Sequence, residues 1–127
     1  MLRHLTPDGL APPLARYSHA VEITAGARLV VCSGQLGIGA DGRIPDGVEE
    51  QATLCFEAIG RCLGAAGMGF ADLVRLNAYV TDRSHLNAFM TVRDRFVGSP
   101  APASTLLIVA GFSRPEFKVE VEALAAK

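Results

Sequence analysis

The hydrophobic and polar positions of this chain change period along its length, and the changes mark out strands and helices in turn. From Tyr17 to Thr24 the period is two: His19, Val21 and Ile23 fall on one face and Ser18, Ala20 and Glu22 on the other, as in a strand. Ala25-Gly26 interrupts it, and a valine-rich run from Arg28 to Ser33 follows, so the two segments predict an antiparallel hairpin with a tight glycine turn. Gly34 to Gly47 holds five glycines, Pro45 and the Asp41-Gly42 turn signal, and reads as a loop. From Val48 to Leu63 the period becomes helical, with Val48, Ala52, Cys55, Ile59, Cys62 and Leu63 on one face. Glu49, Glu50, Gln51 and Glu57 fall elsewhere on the wheel. Glu49 and Glu50 suit the positive end of the helix dipole, and Gly64 and Gly67 suit its stop.

Period two returns at Val74 to Thr81, where Val74, Leu76, Ala78 and Val80 oppose Arg75, Asn77, Tyr79 and Thr81. A second helix spans Leu86 to Val97, with Leu86, Phe89, Met90, Phe96 and Val97 as its apolar stripe and Asp82 or Ser84 as its cap. Pro100 and Pro102 end it. Ser104 to Ala110 reads as a strand buried on both faces, and Phe117 to Ala123 closes the chain with alternation. The order β-β-(β)-α-β-α-β-β predicts an α+β sheet with two helices on one face. The second face mixes apolar with polar residues, which predicts that another subunit covers it.

At 127 residues the chain is expected to form a single domain over 1–127. Half of it is hydrophobic and 20% is charged, too apolar for disorder and without an apolar run that would span a bilayer. The net charge of -1 is spread along the chain, which excludes an electrostatic footprint for nucleic acid. Met1 to Leu10 has no signal-peptide pattern, so no membrane partner and a cytoplasmic location are expected. Cys32, Cys55 and Cys62 are odd in number and match no metal-ligand spacing, so they read as reduced core residues with no metal.

Several short stretches, in this order and spacing, resemble the RidA/YjgF family, also called L-PSP endoribonucleases. They are Arg16-Tyr17-Ser18-His19-Ala20-Val21, Cys32-Ser33-Gly34-Gln35, Glu49-Glu50-Gln51-Ala52, Ala65-Ala66-Gly67, Asp72-Leu73-Val74-Arg75, Thr81-Asp82, Pro102-Ala103-Ser104-Thr105 and Val119-Glu120-Val121-Glu122-Ala123. The resemblance implies a chorismate-mutase-like α+β fold and a homotrimer with a central barrel and three intersubunit clefts. It implies no cofactor. In the family's deaminating branch an arginine in a proline-alanine-arginine-serine motif holds the substrate carboxylate, and a glutamate of the final strand helps water add to an imine.

Carried over by position, the resemblance makes Glu120 the catalytic glutamate and puts Tyr17, Ser33, Gly34, Gln35, Ser104 and Thr105 along the cleft. Ser104 occupies the arginine's position, Leu106 that of a neighbouring cysteine, and Arg93 that of an asparagine in the second helix. A serine offers one neutral donor where arginine offers two charge-assisted ones, each worth about 1.5–3 kcal/mol, so standard 2-imino acid deamination is not expected. Arg93, on the same helical face as Phe89 and Met90, either supplies a substitute anchor for an anion or pairs with a carboxylate such as Asp94 of another subunit or Glu120. Burial and Glu122 would raise the pKa of Glu120, and a nearby arginine would lower it; Glu120 and Glu122 could instead form salt bridges between subunits. His19 reads as a packed histidine, since no triad pattern surrounds it, and the glycines after Gly34 lack the lysine of a phosphate loop. The residues support an enzyme acting on an imine, enamine or related carbon–nitrogen compound, or a non-catalytic module binding a small anionic or carbonyl metabolite. A ribonuclease is the weakest reading, because the chain is neither basic nor rich in aromatics.

Overall fold

The structure is a computed structural model and describes residues 2–127. Strands β1 (Leu2–Leu5), β2 (Ala20–Ile23) and β3 (Leu29–Leu36) precede helix α1 (Val48–Ala65); β4 (Leu73–Val80), α2 (Leu86–Phe96), β5 (Ala103–Ile108) and β6 (Val119–Ala126) follow. The main sheet has the order β3-β6-β4-β5. β6 is antiparallel to both neighbours, whereas β4 and β5 are parallel, as a helical crossover through α2 requires. The predicted sheet with both helices over one face is present, α1 lying across β3 and β6 and α2 packing along α1.

The predicted hairpin is not. β2 pairs antiparallel with β1, from Leu2 opposite Ile23 to Leu5 opposite Ala20, while β3 pairs with β6 in the main sheet. Gly26 turns the chain with φ +86°, but the turn separates two sheets. The longer apolar strand buries more surface beside the central β6 than beside a four-residue partner. The loop expected from Gly34 also starts later, because β3 continues through Gly34 and Gln35 to Leu36.

Helix α1 presents Ala52, Cys55, Phe56, Ile59 and Leu63 to Leu76, Ala78, Val80, Val119 and Val121, all of them buried. Phe56 stacks on Phe96 at 5.3 Å between centroids and lies 5.9 Å from Phe89, joining the two helices. Burying each such side chain is worth about 1.5–3 kcal/mol. The stop is a Schellman motif: Gly67, at φ +73°, donates to Gly64 O at 3.0 Å, and Met68 donates to Leu63 O at 2.9 Å.

Gln51, expected off the apolar face, is fully buried. Its Nε2 donates to Pro45 O and to Glu116 O, both at 2.8 Å, and its Oε1 accepts from Lys118 N at 2.8 Å. One amide thus ties the loop before α1 to the segment that enters β6. Asp82 caps as expected, though it caps the 3₁₀ turn Arg83–His85 that leads into α2, accepting from Ser84 N at 2.9 Å. β5 was expected to be buried on both faces; it is an edge strand, with Leu107 and Ile108 exposed. The side of the sheet away from the helices is uncovered in a single chain, and Val31, 79% exposed, and Leu29, 58% exposed, lie at its β3 end.

Candidate functional site

Strand alternation sorts the expected site residues by face. In β6, Val119, Val121 and Ala123 point to the helices, so Glu120 and Glu122 lie on the open face. Glu120 is the register partner of Tyr79 on β4 and of Leu36 on β3. Its carboxylate rests against the backbone of Gly34, where a Cβ would run into Oε1, so any side chain at 34 displaces the carboxylate. Glu120 and Gly34 are thus in contact within one chain, whereas Gln35 is the register partner of Val121, on the helix-facing side of β6. A register shift between Cys32 and Gln35 bends β3 at this point, and Gln35 Nε2 donates to Ser33 O at 3.2 Å.

Glu122 is held by a network absent from the sequence-based expectation. Its Oε1 accepts from Tyr79 Oη at 2.6 Å and from Asn77 Nδ2 at 3.1 Å. Asn77 Oδ1 accepts from Arg75 Nε at 2.8 Å, and Arg75 Nη2 donates to Thr105 Oγ1 at 2.7 Å. The signal was present as the polar half of the alternation in β4, Arg75, Asn77 and Tyr79, but it did not say which carboxylate those groups would serve. Among the described residues none donates to or pairs with the Glu120 carboxylate. Burial, and then the negative charge of Glu122, push the Glu120 carboxyl above the usual carboxylate range, and no arginine opposes them. The Tyr79 phenol is likewise raised, chiefly by its bond to Glu122.

A depression of about 340 Å³ opens on this face beside Arg75, Asn77, Glu122, Val31 and Leu124. Another, of about 370 Å³, lies between the β3–α1 loop and the outer face of α1, and none of the expected site residues lines it.

Ser104 does not join Glu120. It is the register partner of Leu76, which faces the helices, so Ser104 lies on the opposite face of the sheet with β4 between the two strands. Thr105 lies on the open face, bonded to Arg75. Tyr17 is held near the start of β5: Ser18 N donates to Pro102 O at 2.9 Å, Ser18 Oγ donates to Ala101 O, and Arg16 Nη1 donates to Asp94 O and Val97 O at the end of α2. The Tyr17 hydroxyl accepts from Leu14 N at 3.3 Å, and the ring meets His19 edge-on at 5.9 Å. Arg93 is buried, its side chain 5% exposed; its Nε donates to Oδ1 of Asp94 in the same chain at 3.1 Å, and its Nη2 forms an ion pair with the same oxygen at 3.0 Å. The site residues thus form two groups: Glu120 with Gly34 on the open face, and Tyr17 with the start of β5.

Cys32, Cys55 and Cys62 are free thiols, and burial pushes the Cys55 thiol up to about 12. Among the described residues no group of three or more histidine, cysteine or acidic side chains is arranged to hold a metal ion. No helix is long and apolar enough to cross a membrane.

A family model described as Endoribonuclease L-PSP matches residues 9–127. The chain is 33% identical, over its whole length and 92% of the relative, to a 2-iminobutanoate/2-iminopropanoate deaminase of Bos taurus. It is 31% identical to the mitochondrial protein mmf2 of Schizosaccharomyces pombe, over 78% of this chain and 80% of that one. Among solved structures, a conserved Rid family protein of Yersinia pestis superposes with a TM-score of 0.88 at 27% identity, covering 99% of this chain and 98% of the other. RidA from an Antarctic Psychrobacter gives 0.74 at 28%, covering 98% and 99%. The fold is accordingly the chorismate-mutase-like α+β fold of the Rid proteins.

Proposed function

The chain belongs to the endoribonuclease L-PSP family, that of the RidA/YjgF proteins, and from that premise we propose that it is a cytoplasmic, single-domain homotrimer that adds water to an imine, enamine or related carbon–nitrogen compound in clefts between its subunits. The observation that carries this reading is the division of the site residues. Glu120 and Gly34 lie on the open face, and Ser104 and Tyr17 lie beyond β4. A cleft using both groups needs a second copy, and the exposed Leu29 and Val31 favour association through the open face.

Glu120 is the catalytic group of this proposal. Its carboxylate takes a proton from a water as the water oxygen bonds to the imine carbon, and the C=N π pair moves to nitrogen. Glu120 returns the proton to nitrogen, which gives a carbinolamine, and then relays the hydroxyl proton to the same nitrogen as the C=O bond forms and the C–N bond breaks, so that carbonyl compound and amine or ammonia leave. A carboxyl with a raised pKa serves both transfers better than an ordinary one. Tyr17, Ser33, Gln35, Ser104 and Thr105 line the cleft, and Arg93, held by Asp94, stays structural.

A serine on the helix side of β5 supplies no guanidinium for a substrate carboxylate, and this favours the second reading, a module that binds a small carbonyl or imine metabolite without turning it over. Sedimentation of the purified chain, with ammonia release from freshly generated imines by the parent, Glu120→Gln and Ser104→Arg, tests both. A trimer whose parent activity disappears in Glu120→Gln is expected. A monomer, or equal rates in parent and Glu120→Gln, overturns the hydrolase; binding without turnover selects the module.

A further inference from the structure

Taking the hydrolytic reading above as its basis, we infer that the compound processed at Glu120 carries no carboxylate, and that it is an imine whose only charge is the positive one on its nitrogen. Glu120 and Glu122 lie two residues apart on the same face of β6. A substrate carboxylate in contact with Glu120 would therefore meet two negative charges and needs a guanidinium or ammonium to offset them.

Among the described residues of one chain none is bonded to Glu120 or paired with it. The family position for that charge, Ser104, is neutral and faces the helices. Arg93 is buried and gives its Nε and Nη2 to Asp94. Arg16 is occupied by the carbonyls that end α2. Lys118, just before β6, donates its Nζ to Asp46 O at 2.6 Å. Arg75 does stand on the open face, but its guanidinium donates to Asn77 Oδ1 at 2.8 Å and to Thr105 Oγ1 at 2.7 Å, level with Glu122 and not with Glu120.

The same arrangement suits a protonated imine. Two carboxylates on one face stabilise a positive nitrogen, and the protonated C=N is the form that water attacks most readily. The step is R–CH=NH₂⁺ + H₂O → R–CHO + NH₄⁺, with no oxidant or reductant. The reaction class that must supply this substrate is the oxidation of a primary amine, which releases an imine without a carboxylate; oxidation of an amino acid would leave the carboxylate in place.

The full-length protein would be tested with two imines of matched length. One is butan-1-imine, generated from butylamine by a flavin-dependent amine oxidase; the other is 2-iminobutanoate, generated from 2-aminobutanoate by an amino acid oxidase. Ammonia release is followed, and binding of butylammonium and butanoate is measured by calorimetry. Faster release from the amine-derived imine by at least about tenfold, lost in Glu120→Gln, with butylammonium binding more tightly than butanoate, is expected. Equal or better turnover of 2-iminobutanoate, still dependent on Glu120, overturns the inference and leaves the hydrolase standing. No acceleration of either imine overturns the hydrolase and this inference together.

Discussion

On the helix side of the main sheet Phe56, Ile59 and Leu63 are fully buried, and even the polar Gln51 has both its carbonyl and its amide bonded to backbone. On the opposite side Val31 and Leu29 stand exposed, and among the described residues Glu120 has no hydrogen-bond or ion-pair partner although Glu122, two residues on, accepts two hydrogen bonds. The two faces share their strands, so composition does not separate them. What separates them is whether each group's demand is met within the chain. The first face holds the fold together; the second leaves apolar surface and an acid whose demands are not met within the chain.

The most severe way to break that contrast is Glu120→Gln, which removes the unpartnered acid and is expected to lower imine hydrolysis by about 10²–10⁴-fold, with the assembly unchanged in sedimentation. On the helix face, Phe56→Ala empties a fully buried site between the two helices and is expected to cost about 3–5 kcal/mol in urea unfolding. Gln51→Met keeps the volume but strands two carbonyls and the Lys118 N–H, so a loss of about 1–3 kcal/mol is expected in the same measurement. Val31→Lys probes the open face: a change within about 0.5 kcal/mol in unfolding of the isolated chain, together with dissociation of the assembly on dilution, would locate the interface there. An assembly indifferent to Val31→Lys would place it elsewhere.

The smallest effect is a pH dependence. A carboxyl raised in the folded state favours its protonated form, so its stabilising contribution is fully present below the unfolded pKa and disappears as pH rises through the folded one. At neutral pH the parent therefore carries the cost of ionising Glu120, and Glu120→Gln should melt slightly higher. That advantage should shrink to nothing as the pH falls below the ordinary glutamate range. A melting difference that grows toward acid pH would contradict the raised pKa.

The helical period of Val48 to Leu63 and the alternation of Val74 to Thr81 located α1 and β4 within two residues, because burying one face leaves its mark in every turn or every second residue. The family-like stretches put Gly34 and Glu120 along one cleft without saying that they touch; the contact between them comes from the structure. The false hairpin came from reading adjacency as pairing. A glycine turn between two strands says nothing about whether another strand, such as β6, offers the second a better partner.

Periodicity and composition by themselves determined which segments are helical, which alternate, and which residue types stand at 104 and 120, since each of these is written within a few neighbouring positions. Only the tertiary structure decided that Ser104 and Glu120 occupy opposite faces and that Gln51 is core. Strand register joins Leu76 to Ser104 and Tyr79 to Glu120, and Gln51 bonds to Glu116 and Lys118, all far apart along the chain, and no local pattern encodes the partner across such a distance.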